Sequence, residues 1–173
     1  MLGCRSDSKN TEEVAGKQPE DETMGGKPKM KAVPKEVADD RLQTPPPGQT
    51  ELEAWLAEGH YKKWACESAA HAPRPPSGHS SNRICSNERL STAAGAYPIG
   101  SASVKELYSG KEINGYAVIL KTTAGTGGST WYWYERVGST AVADGQGDSG
   151  KAKSICVSCH SQAPNDQVFT QVK

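Results

Sequence analysis

The chain has 173 residues with 20 basic and 20 acidic side chains, so its formal net charge is zero and neither nucleic acid nor an anionic membrane surface is expected as a partner. No apolar run approaches the roughly 20 residues a membrane-spanning helix needs. Leu, Ile, Val and Phe number only 23, yet all 11 aromatic residues lie between Trp55 and Phe169, which predicts a disordered front and a folded domain whose core needs aromatics, a staple or a prosthetic group.

Residues 1–49 are read as a lipoprotein-like N-terminus and linker. Met1-Leu2-Gly3-Cys4 resembles the end of a bacterial lipoprotein signal, so Cys4 is a candidate lipid anchor. Behind it, charges of both signs alternate with Pro, Gly and Ser. Such a segment cannot bury enough apolar surface to offset its ordering entropy. It should stiffen at Pro45, Pro46 and Pro47.

Residues 50–173 carry the expected domain. Thr50 to Cys66 reads as a helix, capped by Thr50 and acidic at Glu51 and Glu53. Leu52, Trp55, Leu56, Tyr61 and Trp64 fall on one face, with Gly59 the weak point. A loop follows from Ala72 to Asn82. Then strands are expected at Ser101 to Tyr108, Gly115 to Thr122, Thr130 to Val137 and Thr140 to Ala143, separated by Gly-rich turns. The fold class is α+β, mainly antiparallel sheet with a few flanking helices. In Trp131-Tyr132-Trp133-Tyr134 the alternation puts the Trp pair on one face and the Tyr pair on the other. Both faces of that strand should therefore be covered, one by a helix or a second copy, the other by a flat cofactor or by plain aromatic core.

Cys156-Val157-Ser158-Cys159-His160 has the C-x-x-C-H spacing of covalent haem c attachment. Two thiols one helical turn apart can each form a thioether to one porphyrin, and the adjacent His can give its imidazole to iron. A structural zinc site would want a second close ligand pair, but Cys66 and Cys85 are 19 residues apart. A thioredoxin-like dithiol would want a βαβ setting. Haem c is attached outside the cytoplasm, where disulfides persist, so Cys66 and Cys85 are a candidate pair. Every Met (Met1, Met24 and Met30) lies in the linker. A His/Met electron carrier is therefore disfavoured. His60, His71 and His79 remain as alternative second ligands, and an open iron face is the leading expectation.

On these residues the sequence resembles the cytochrome P-460 family and its relative cytochrome c′-β, over about Gly78 to Val172. The matching stretches are Asn82-Arg83, Tyr97-Pro98-Ile99-Gly100, Val104-Lys105-Glu106-Leu107, Trp131-Tyr132-Trp133-Tyr134-Glu135, the haem motif, and Asn165-Asp166-Gln167-Val168-Phe169-Thr170. The resemblance implies a homodimeric β-sheet haem c protein of the periplasm or cell envelope. It implies that Lys105 bonds covalently to the porphyrin edge and that Arg83 stands in the distal pocket. The implied activity is hydroxylamine oxidation to nitrous oxide or nitric oxide, with an external electron acceptor. The c′-β relatives lack the cross-link and bind nitric oxide or carbon monoxide without turnover. The family's distal carboxylate has no clean counterpart; Asp144 and Asp148 are the candidates.

Overall fold

The computed structural model describes residues 40–173. The expectations for Cys4 and for most of the linker lie outside them. Among the described residues the architecture is a six-stranded antiparallel sheet with a few short helices. The strands run in sequence order: β1 (Ala65–Cys66), β2 (Asn82–Ser86), β3 (Ala102–Ser109), β4 (Glu112–Lys121), β5 (Trp131–Val137) and β6 (Thr140–Gln146). The expected meander is present, with boundaries shifted by a few residues. No helix among the described residues is long and apolar enough to cross a membrane.

Helix α1 covers Gln49–Glu58 and buries Leu52, Trp55 and Leu56. The expected helix to Cys66 is cut short at Gly59. That residue adopts a left-handed φ of 72°, and its N–H turns back to the Leu56 carbonyl. Glycine reaches this geometry without a Cβ penalty, and the geometry ends an α-helix. A single tight turn, His60–Lys63, then delivers Tyr61 to the core and leads into β1. Residues 40–48, which composition assigned to the linker, are bound to the domain. The Trp55 indole donates to the Arg41 carbonyl at 2.7 Å and the Trp64 indole to the Leu42 carbonyl at 3.1 Å. The aromatics of α1 and the following turn thus order a backbone that has no apolar pattern of its own.

Helix α2 (Glu88–Thr92) was not anticipated. Asn87 caps it, accepting from the Leu90 N–H at 3.0 Å. A final helix runs through Ala152–Val157 and α3 (Ser158–His160). Its first part has the wide i→i+5 turn, with the Ser158 N–H bonded to the Lys153 carbonyl. Such turns are rare and recur at functional sites. This helix approaches the sheet closely because Gly128 has no side chain: a Cβ there would overlap Val157.

The two faces of the sheet are covered differently. On one face α1 packs against Val104, Val118, Leu120, Tyr132 and Tyr134. On the other, Trp131 and Trp133 pack with Leu90, Tyr97, Ala152 and Val168. Tyr and Trp separate by face as alternation requires. Cys66 and Cys85, opposite each other in register, are joined by a disulfide.

Candidate functional site

The second face carries a cavity of about 350 Å³. Strand pairing builds its floor. Lys105, Ala117 and Glu135 lie opposite one another across β3 to β5, so they share one face. Lys105 and Glu135 reach the cavity beside Ser103, Ile119 and Trp133. The last helix supplies one wall through Ile155, Cys156, Cys159 and His160, and Phe169 adds the rim. A loop carrying Pro76, Ser77, Gly78 and His79 covers another side.

His160 is held on three sides. Its Nδ1 lies 2.6 Å from the Gln167 carbonyl oxygen, which can only accept. Nδ1 therefore carries the proton, and Nε2 keeps its lone pair, the state a metal ligand needs. The ring stands edge-on to Trp133 at 4.8 Å and to Phe169 at 5.3 Å. Burial, assisted by Lys105 and His79, pushes its pKa down to about 4 against the opposing pull of the Gln167 carbonyl. The imidazole is thus neutral at physiological pH.

Cys156 and Cys159 are free thiols on the same wall. Burial first, then the Glu135 charge and Cys159, raises the Cys156 pKa to about 12. A redox dithiol wants the opposite, a depressed pKa. These surroundings suit a sulfur that ends as a neutral thioether. Ile155 and Phe169 are 43% and 37% exposed at the cavity rim. A wide apolar group seated there would cover both, so the residues present fit a haem bound through this motif. Burial also lowers the Lys105 pKa, against the raising effect of Glu135 and Glu67. The neutral amine is the nucleophilic form.

The other candidates separate by face. Arg83 does not line the cavity. It lies opposite Glu106 in register, and the two form an ion pair at 3.7 Å. Glu106 is 1% exposed and also accepts from Tyr61 at 2.8 Å and Tyr108 at 2.7 Å. Arg83 therefore belongs to the α1 face, because it is two residues from Cys85 on that strand face. Asp144 is likewise on the α1 face, hydrogen-bonded by the Tyr132 hydroxyl, and Asp148 is exposed. Among the histidines, His60 pairs with Glu58 and His71 with Glu67. Only His79 of the three lines the cavity, and its Nδ1 lies 3.3 Å from Glu135.

Glu135 is the cavity carboxylate that residue matching missed. The signal was present: it stands two residues after Trp133, so alternation puts both on one face. Gln167 was also missed, and nothing in its residue type marks a backbone acceptor. Compared with known protein families, with curated proteins and with solved structures, the chain matches none.

Proposed function

We propose that this chain is an exported mono-haem c protein of the cytochrome P-460 kind, which oxidises hydroxylamine to nitrous oxide or nitric oxide at an open distal site. The observation that carries this reading is the convergence of Cys156, Cys159, His160, Lys105 and Glu135 on one cavity. Cys156 and Cys159 would hold the haem by thioethers, His160 Nε2 would ligate the iron, and Lys105 would bond the porphyrin edge. When bound, haem supplies an iron that takes the substrate nitrogen and passes its electrons to an external acceptor.

The chain's own residues do the rest. Glu135, steadied by His79, offers a carboxylate oxygen to take protons released from the substrate. Ile119, Trp133 and Phe169 make the surroundings apolar and limit water. Gln167 keeps His160 in the Nδ1–H tautomer. The Cys66–Cys85 disulfide favours an oxidising compartment, the periplasm or cell envelope. A homodimer goes with the same reading.

The position of Arg83 favours a second reading. With no cationic donor from β2 in the cavity, the pocket also suits a cytochrome c′-β-like protein that binds nitric oxide or carbon monoxide without turnover. Intact mass and peptide mapping of the exported protein separate the two. Turnover predicts one covalent haem with the Lys105 peptide attached, and Lys105→Ala should lose hydroxylamine oxidation while keeping nitric oxide binding. A Lys105 peptide recovered free of haem would move the chain to the gas-binding reading. An exported protein with no haem adduct would overturn both.

A further inference from the structure

We propose that Lys121 and Asp166 form a buried clamp that positions the His160 imidazole, acting through the backbone carbonyl of Gln167. The inference rests on the reading of His160 as the iron ligand and extends it to residues that never touch the cavity.

Lys121 ends β4 and is 0% exposed. Its ammonium donates to Asp166 Oδ2 at 2.6 Å, to Thr130 Oγ1 at 2.7 Å and to the Gly125 carbonyl at 2.7 Å. All three of its donors are thereby used. The same ammonium sits 4.8 Å over the Trp131 ring. Asp166 accepts in addition from the Gly127 N–H at 2.7 Å and from the Trp131 indole at 3.3 Å.

This network grips an unusual piece of backbone. Asp166 and Gln167 have φ of 24° and 71°, and neither is glycine. A Cβ makes that region sparsely populated, and two such residues in succession need external support. The Val168 N–H closes the turn onto the Asn165 carbonyl at 2.7 Å. The turn aims the Gln167 carbonyl at His160 Nδ1, and two residues on Phe169 meets the same ring. Without the clamp both residues can return to negative φ, and the carbonyl swings off the imidazole. A buried ion pair is a weak source of stability. Here it specifies one geometry, and that geometry is the one His160 uses.

An acceptor on Nδ1–H makes the imidazole a stronger donor to iron. The test is made on exported holoprotein by resonance Raman of the ferrous iron–histidine stretching band, alongside redox potentiometry. Lys121→Met/Asp166→Ala, which leaves no unpaired buried charge, should retain covalent haem. Its band should shift to lower frequency and broaden, and its midpoint potential should rise. Adding Gln167→Gly, which eases the positive φ, should return the band toward its original position. Tyr61→Phe, a polar change on the opposite face, should leave the band alone. Asp166→Asn should give a smaller shift of the same sign, and it decides the matter where the double variant does not accumulate. Wild-type bands in both Asp166 variants overturn the clamp alone. A wild-type protein that has haem but lacks an iron–histidine band overturns the reading of His160 and the clamp with it.

Discussion

The two faces of this sheet are made from the same strands, yet they are finished in different ways. On the α1 face an aromatic and aliphatic core covers the sheet. Trp55, Tyr61, Tyr132 and Tyr134 fill the core, and the buried Glu106 is satisfied by two tyrosine hydroxyls and Arg83. On the cavity face the aromatic core stops short. Two free thiols, a neutral imidazole, a lysine and a carboxylate surround open volume, and Ile155 and Phe169 stay exposed. On the first face the buried Glu106 spends both carboxylate oxygens on tyrosine hydroxyls. Glu135 on the second keeps accepting capacity beside His79. The difference teaches that chemistry should be sought where packing is incomplete, not where polar residues are merely buried.

The largest test of this contrast is Cys156→Ala/Cys159→Ala. The exported variant should carry no covalent haem, and soluble yield should fall severely, because the cavity face would have nothing to complete it. Haem-stained gels and soluble yield measure both. A stable, well-ordered domain without haem would show that the cavity face closes unaided.

Next comes a matched pair of core truncations. Trp133→Ala should cost about 3–5 kcal/mol and Leu52→Ala about 2–5 kcal/mol in urea unfolding. Only Trp133→Ala should alter the visible spectrum, since Trp133 rests against His160. A spectral change in Leu52→Ala would break the separation of the faces. Replacing Cys66 and Cys85 by Ala should then cost about 3 kcal/mol, given the loop the disulfide closes. Ligand binding should be unchanged, because that bond ties β1 to β2 on the α1 face.

The smallest effect concerns the loop that carries His79. Glu67 anchors it, holding Arg74 at 2.7 Å, His71 at 2.9 Å and the Ile84 N–H at 2.9 Å. Burial alone would raise the Glu67 pKa, but these three bonds together bring it below the usual glutamate value. The folded state then binds fewer protons than the unfolded one in that range. The stability it contributes is complete above the unfolded pKa and is lost as pH falls through the lower folded value. Glu67→Gln should therefore lower stability modestly at neutral pH, where the carboxylate's contribution is complete, and flatten the acid limb of the stability profile below about pH 4.5. An unchanged acid limb, followed by circular dichroism, would show that Glu67 does not secure the loop.

Much of this protein was legible in its residues. Alternation in Trp131-Tyr132-Trp133-Tyr134 determined which rings share a face, because the strand period is two and needs no tertiary information. The Cys-x-x-Cys-His spacing determined that two thiols and an imidazole would share one helical surface. Elimination made Cys66 and Cys85 a candidate pair, and strand register set them opposite each other. Tertiary structure decided the rest. Composition placed residues 40–48 in a linker, but two indole N–H groups that needed acceptors drew their backbone onto the domain. Residue matching put Arg83 in the distal pocket, but strand register turned it to the α1 face, where Glu106 holds it. No local pattern could reveal that the Gln167 carbonyl would fix the His160 tautomer. That contact depends on a backbone turn gripped by Lys121, 45 residues away in sequence from Asp166, and sequence-local physics does not extend across such a separation.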